Sequence, residues 1–284
     1  MAESKKVTEQ KIEAAVLLIN EARAAALNSI EQEIEVLYQA YFDRVRSVIS
    51  SNKDLRRTEA LTLQNATAVM AQLETILSAS GLGALVVKFG KEFPTLAKSA
   101  AAYYEALGVN ADDVLAGISK QTLSAWVDFS ANELTNLVSS SLLAPVRSAL
   151  LQVNFGNLTR DNLIDQITAI EPSLSQNDAN VLVNESFSQF QRAVVVAGGE
   201  EAGLKIYHYT GPDDSITSAQ CQAMLRVTKH GAPGLLYKEE IGPWLHPLLE
   251  KYNRNPLLAG GHPNCRHHWT PIPEDYAIEL GFKP

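Results

Sequence analysis

Apolar residues recur every three to four positions along the first fifty residues of the chain. They lie at Ile12, Val16, Ile19, Ala26, Ile30, Leu37, Tyr41, Val45 and Val48. This spacing draws one apolar stripe along a helix of about 65 Å, at 1.5 Å per residue. Because alanine recurs along this segment, packing against other helices of the chain is favoured over a self-associating coiled coil.

Further helices are predicted up to residue 152. The predicted segments are 54–79, 84–107 and 119–152, with a short helix capped by Asn110 or Asp112. Gly81 and Gly83 end the first of these segments, Pro94 marks the start or a kink of the second, and Pro145 interrupts the last. Residues 1–155 are therefore predicted to form a bundle or arm of long helices.

The pattern changes in the second half, where helix-breaking and chemically versatile residues are concentrated. Nine of the twelve prolines lie from Pro212 onward, and all six histidines and both cysteines follow Tyr207. Residues 156–284 are predicted to be a second domain, with paired helices over 159–197 and a compact α+β part over 203–284. The expected fold class is mainly α, with a small α+β module at the C-terminus.

Local signals divide this second domain further. The predicted elements are helices over 159–170 and 175–197, a strand over 204–209, a short helix containing Cys221 and a helix over 237–249. Pro172 separates the first two helices, and Gly198 and Gly199 are predicted to end the second.

Composition excludes several classes of protein. The net charge is −8 and both halves are acidic, so a general nonspecific nucleic-acid binder is not expected. No apolar run approaches the roughly 20 residues that span a bilayer, and the N-terminus lacks the apolar core of a signal peptide. The protein is therefore expected to be made in the cytoplasm, where its two cysteines would be thiols or metal ligands, although a disulfide stays open.

A family resemblance is carried by the segment between residues 209 and 271. Its features are Tyr209-Thr210-Gly211, Asp214 ahead of Cys221, Glu240-Ile241, and Gly260-Gly261-His262-Pro263-Asn264-Cys265-Arg266-His267 followed by Trp269 and Pro271. In this order they resemble the C-terminal module of the Mu F-like minor head proteins of tailed bacteriophages, over about residues 156–273. The family often has Thr-Arg after its Asp, whereas Asp214 is followed by Ser215-Ile216-Thr217, so a role that needs a cation beside Asp214 is in doubt.

The resemblance implies a structural protein of the virion and not an enzyme. Members of the family lie at the portal vertex or in the head interior and act in head assembly, head–tail connection or DNA delivery. The expected partners are portal, neck or capsid proteins, with assembly in the host cytoplasm. A basic run could contact packaged DNA, and it comprises Arg44, Arg46, Lys53, Arg56 and Arg57. The alternative interpretation is that this run is a solvated helix end and turn.

The C-terminal cysteines and histidines are the candidate site. Cys221, His262, Cys265 and His267, with His268 beside them, are residue types that zinc prefers. Their spacing fits no short zinc motif, because 43 residues lie between Cys221 and Cys265. The alternative is a turn in which the cysteine and histidine side chains are packed without a metal. The alternative function is a metal-dependent nuclease or hydrolase, but too little chain follows Pro271 for an HNH nuclease and nothing identifies a nucleophile, base and orienting carboxylate.

Overall fold

A computed structural model describes residues 9–51, 63–117, 120–152, 159–170, 175–241, 255–260 and 265–284. The α-helices in chain order are α1 (Glu9–Ser51), α2 (Leu63–Met70), α3 (Leu73–Ala79), α4 (Leu82–Ala106), α5 (Ala111–Gly117), α6 (Lys120–Leu151), α7 (Arg160–Ile170), α8 (Ser175–Glu201), α9 (Ala219–Leu225), α10 (Pro256–Ala259) and α11 (Glu274–Glu279). The strands are β1 (Ile206–Thr210), β2 (Leu235–Tyr237) and β3 (His268–Ile272), and Lys238–Glu240 forms a 3-10 turn. The predicted fold class, mainly α with a small α+β C-terminal part, is confirmed.

The apolar stripe of α1 is buried along the described length of the helix. The fully or nearly buried members are Ile12, Ala26, Ile30, Leu37, Tyr41 and Val45, joined by Ala15, Ile34, Tyr38, Phe42 and Ile49. From Ala26 onward the buried positions recur every three or four residues, whereas Val16 and Ile19 in the preceding turns are partly buried. Packing of the stripe against other helices of the same chain accounts for the periodicity.

Proline does not interrupt the helices where the sequence predicted interruption. Pro94 lies inside α4 and Pro145 lies inside α6, and both helices continue beyond them. A proline removes one backbone hydrogen bond, but Leu142 and Val146, on either side of Pro145, are completely buried and hold their turns in the core. The segment predicted as one helix up to residue 79 contains two, α2 and α3, and its residues 54–62 lie outside the described residues.

Gly198 and Gly199 do not end α8, which continues to Glu201. A Cβ atom at Gly198 would lie 2.4 Å from the ring of Tyr104, and one at Gly199 would lie 2.5 Å from the ring of Pro271. The two glycines therefore allow neighbouring elements to approach the backbone of the helix closely. The left-handed residue after the helix is Gly203, with φ of +67°.

Another correction concerns the helix predicted over 237–249. Tyr237 is the last residue of β2, and the 3-10 turn occupies the three residues after it, while residues 242–254 lie outside the described part of the chain. With three residues, β2 is too short to show the alternation of apolar and polar residues that predicts a strand.

The chain divides into two compact units, which are described separately. The sheet unit comprises residues 1–26, 92–127 and 184–284, and the helical unit comprises residues 27–91 and 128–183. Each unit contains segments from both sides of residue 155, and the sequence-based domain boundary at that point stays a prediction. Within the helical unit, Tyr38 and Ser141 share a 2.7 Å hydrogen bond and Lys88 contacts Glu33 at 2.8 Å.

The sheet unit is built on both faces of a three-stranded antiparallel sheet with the order β2-β1-β3. Because successive strand residues point to opposite faces, Ile206 joins a core with residues of α1, α4 and α11, whereas Tyr207 and Tyr209 join a second core with α9. Tyr103 of α4, which belongs to the first core, donates a 2.7 Å hydrogen bond to the carbonyl of Pro271 on β3. The candidate residues Cys221 and Cys265 lie on the Tyr209 side.

One segment, Ala66–Ala106, is long and apolar enough to cross a membrane by length and composition alone. Core helices of soluble proteins meet the same criterion, and Leu85, Phe89, Phe93 and Leu96 of this segment are buried in the fold. The segment therefore carries no argument for a membrane.

Replacing Gly198 by alanine is expected to destabilise the protein by about 1–3 kcal/mol, because the new methyl group would overlap Tyr104 and Val114 in a packed core. Gly83→Ala is the matched control, since no atom lies within 4 Å of a Cβ at this helical glycine. That change should be neutral or stabilising by up to about 1 kcal/mol. Urea unfolding of both variants measures the difference, and equal effects would contradict the close approach.

The stability of the sheet unit is expected to fall in mild acid because of His208 on β1. Burial lowers the pKa of His208 from 6.5 to about 4. Between these pH values the unfolded chain takes up a proton that the folded chain does not. The free energy of unfolding therefore falls by up to about 1.4 kcal/mol per pH unit as the pH drops below about 6.5, and it levels off below about pH 4. His208→Gln should flatten this part of the urea-unfolding profile, and parallel profiles for parent and variant would rule out the contribution.

Candidate functional site

Two cysteines that are 44 positions apart meet in the sheet unit. Cys221 lies in the first turn of α9, where the hydroxyl of Ser218 accepts a 3.2 Å hydrogen bond from its backbone N–H and caps the helix. Cys265 lies just before β3. The two Sγ atoms are 3.5 Å apart, and both side chains are buried and free of disulfide bonds.

His267 completes a group of three buried side chains. The ligand atoms of Cys221, Cys265 and His267 all lie within 4.8 Å of one another, and Nδ1 of His267 is 3.7 Å from Sγ of Cys265. The fold thus brings together three of the four residues that the sequence suggested as zinc ligands. The fourth, His262, lies outside the described residues.

The ring nitrogens of His267 have different environments. Nε2 lies 2.8 Å from the carbonyl oxygen of Pro212. Since a carbonyl can only accept, Nε2 carries the hydrogen in the neutral ring, and the lone pair of Nδ1 is on the side of Cys265. The ring sits tightly between backbones, because a Cβ at Gly211 would lie 2.4 Å from it and a Cβ at Gly260 would lie 2.6 Å from the carbonyl oxygen of His267.

Tyr209 borders the sulfur atoms and was not among the sequence candidates. Its hydroxyl donates a hydrogen bond of 3.2 Å to Sγ of Cys221 and lies 3.6 Å from Sγ of Cys265. Its ring is stacked on His267, with centroids 5.4 Å apart and planes at 8°. The Tyr-x-Gly motif at the end of β1 was the available signal, since it places this tyrosine next to Gly211.

A buried arginine holds the backbone of the segment that carries Cys265 and His267. Arg192 of α8, only 7% exposed, donates hydrogen bonds to the carbonyls of Leu258, Cys265 and His267. Burial lowers its pKa to about 10, so the guanidinium keeps its charge at neutral pH. Arg192 lies on the side of the predicted helix opposite its apolar positions, so the sequence pattern did not single it out.

A cation does lie beside Asp214, although the sequence lacks the arginine that the family often has there. Arg266 donates two hydrogen bonds to the carboxylate, of 2.7 and 2.8 Å. These bonds hold the pKa of Asp214 well below its usual value. The pair links the turn after β1 to the residue between Cys265 and His267, so Arg266 supplies a cation beside Asp214.

Cys221 does not have the properties of a reactive thiol. A hydrogen bond with Cys265 and burial raise the pKa of Cys221 well above its usual value. Thiolates are the reactive form of cysteine, and reactive thiols are found in accessible, electropositive surroundings. The surroundings of Cys221 therefore favour its protonated form.

His268 belongs to a different environment. Its Nε2 lies 3.3 Å from the hydroxyl of Thr210, across the β1–β3 pair, and burial lowers its pKa to about 3. It lines a cavity of about 30 Å³ beside Arg192 and Gln191. That volume suits one or two water molecules and is too small for an organic substrate.

The basic run lies only partly within the described residues. Arg44 is exposed, whereas Arg46 is paired with Asp43 at 2.6 Å. Lys53, Arg56 and Arg57 lie outside the described residues. Contact of this run with DNA stays a prediction.

Comparisons of the chain with protein-family models, with curated proteins and with solved structures find no match. The resemblance to the Mu F-like family therefore rests on the motif residues themselves. The structural information that bears on the resemblance is the arrangement of these motif residues in the sheet unit.

Loss of the Arg192 guanidinium is expected to open the site. Arg192→Met removes the donors of three buried carbonyls, so the free energy of unfolding should fall by at least about 3 kcal/mol. The two cysteines should also react faster with a thiol reagent. Arg226→Met is the matched control, because its ion pair with Asp213 is exposed and worth less than about 1 kcal/mol. Unchanged thiol reactivity in Arg192→Met would show that this arginine does not hold the segment.

Proposed function

We propose that the protein is a structural component of a tailed-bacteriophage virion, a minor head protein of the Mu F-like type that acts at the portal vertex or in the head interior. The observation that supports this proposal is the convergence of the motif residues. Tyr209, Cys221, Cys265 and His267 are separated by up to 58 positions, and they form one buried cluster. Residues that define a module by its fold are expected to meet in its core.

The contacts of the motif residues also favour a structural role. Arg266 bonds Asp214, His267 bonds the carbonyl of Pro212, and Gly211 and Gly260 allow backbones to approach His267. Each of these interactions joins one segment of the chain to another. Their polar groups are used inside the molecule, so contacts with other virion proteins would come from other surfaces.

The long helices offer such surfaces. Large apolar side chains are exposed on them, among them Leu17 and Leu18 of α1, which are adjacent, and Phe129 of α6. Single exposed apolar residues are common, but an adjacent pair on a long helix suits burial against a partner. Portal, neck or capsid proteins are the partners proposed for these helices.

The alternative function is a metal-dependent nuclease or hydrolase built on the Cys/His cluster. The convergence of Cys221, Cys265 and His267 favours it to the extent that these residues form a possible metal site. Hydrolysis also needs access for a substrate and a position for an attacking water. Cys221 and Cys265 are 0% and 4% exposed, which favours the structural role.

The proposal predicts that the protein is part of mature particles. Mass spectrometry of virions purified by density gradient should detect the chain at low copy number relative to the major capsid protein, and an epitope tag should localise to the portal vertex or head interior. A strain that lacks the gene should produce defective heads or particles that fail to deliver DNA.

Absence of the chain from purified particles would contradict this function. DNA cleavage by the purified protein with added Zn²⁺ or Mn²⁺, lost in His267→Ala and retained in His268→Gln, would instead support the hydrolase. His268 is the matched control because its Nε2 contacts Thr210 and not the sulfur cluster.

A further inference from the structure

We propose that Cys221, Cys265 and His267 bind a zinc ion that joins α9 to the segment before β3. The ligand atoms would be the two Sγ atoms and Nδ1 of His267, which lie within 4.8 Å of one another in a buried site. This site is independent of any role in the virion. It would hold for a structural module of any function.

The distances between the ligand atoms fit a tetrahedral ion. With Zn–S and Zn–N bonds of about 2.3 and 2.0 Å, a tetrahedron places two sulfurs about 3.8 Å apart and a sulfur and a nitrogen about 3.5 Å apart. The observed separations are 3.5 Å between the Sγ atoms and 3.7 Å between Sγ of Cys265 and Nδ1 of His267. These two separations differ from the tetrahedral values by a few tenths of an ångström. Sγ of Cys221 and Nδ1 of His267 lie within 4.8 Å of one another, so binding would bring these two side chains closer together.

Two packed thiols would have a similar separation, so the state of His267 is the deciding observation. Zinc binds the unprotonated nitrogen of a neutral imidazole, and in metal sites the other nitrogen usually donates to a carbonyl or carboxylate. Nε2 of His267 lies 2.8 Å from the carbonyl of Pro212. The ring is therefore held in the tautomer and orientation that present a lone pair to the sulfur atoms.

The surroundings also support bound thiolates. The hydroxyl of Tyr209 donates to Sγ of Cys221, a contact that becomes stronger when the sulfur is charged. The buried guanidinium of Arg192 holds the carbonyls of Cys265 and His267, which fixes the backbone on both sides of Arg266. A Zn²⁺ ion with two thiolates and a neutral imidazole has no net charge, so such a site can be buried.

The donor set determines the class of metal. Two sulfurs and one imidazole favour zinc over magnesium or calcium, which prefer oxygen ligands. Three protein ligands leave a fourth coordination position, and no further Cys, His, Asp or Glu of the described residues lies in the group. Cobalt is a useful probe, because Co²⁺ adopts the same geometry and absorbs visible light.

The test is to measure the metal content of the full chain after purification under reducing conditions without metal-affinity chromatography. We expect about one zinc per chain, released by a chelator only slowly or on unfolding. Co²⁺ substitution should give tetrahedral ligand-field bands and thiolate-to-cobalt charge transfer, with an intensity that falls by about half in Cys221→Ser and in Cys265→Ser. His267→Ala should shift the ligand-field bands and weaken zinc binding.

Two variants separate the site from its surroundings. Tyr209→Phe keeps all three ligands and removes one outer hydrogen bond, so zinc affinity should fall by about 10–100-fold. His268→Gln changes the neighbouring histidine, which contacts Thr210, and should leave zinc content and the cobalt spectrum unchanged.

The wild-type measurement decides the proposal even where a cysteine variant fails to fold. A reduced, folded chain with two titratable thiols, no zinc and no cobalt charge-transfer band would overturn it. So would a quantitative Cys221–Cys265 disulfide in the protein from the reducing preparation. Virion association would be unaffected by either result, so this test and that of the proposed function can fail separately.

Discussion

The burial of the Arg192 guanidinium is the constraint on which the C-terminal part of the structure depends. A charged group in a core is tolerated when hydrogen bonds compensate its loss of water, and Nη1 and Nη2 of Arg192 donate to the carbonyls of Leu258, Cys265 and His267. Carbonyls in a loop before a strand have no partner in the sheet ladder and need donors as well. One side chain of α8 therefore satisfies the segment that carries the candidate site and sets its position.

The two faces of the small sheet explain how this segment is held from the other side. Tyr103 of the first core donates a hydrogen bond to the carbonyl of Pro271 on β3, and Ile272 packs in that core, while Trp269 and Tyr209 face the second core. Alternation along β1 sends Ile206 to the first core and Tyr209 to the second. The helices thus fix the sheet, and the sheet fixes the distance between α9 and the residues before β3.

The spacing of apolar residues was sufficient to predict helices whose burial depends on residues close together in the sequence. The stripe from Ile12 to Val45 predicted α1, because burial on one helical face imposes a spacing that can be read directly. Gly198 and Gly199 were misread because glycine serves two purposes, ending a helix or admitting a close neighbour, and only the position of Tyr104 distinguishes them. The Sγ–Sγ contact of Cys221 and Cys265 depends on tertiary packing across 44 positions, which no local spacing encodes.

Three of the candidate ligands lie together, and their surroundings include groups that were not among the candidates. Tyr209 donates to the sulfur of Cys221, Arg192 holds the carbonyls of Cys265 and His267, and the carbonyl of Pro212 contacts the ring of His267. All of their contacts are directed into the sheet unit, and they join segments that follow one another only distantly in sequence. A site whose polar groups are bonded within a module stabilises that module. Under the proposed function, recognition of a partner would fall to exposed positions such as Leu17 and Leu18 on the long helices. The proposed virion role and the proposed zinc ion are consistent on this basis, because the ion would act as an internal link and the helices would supply the contact surface.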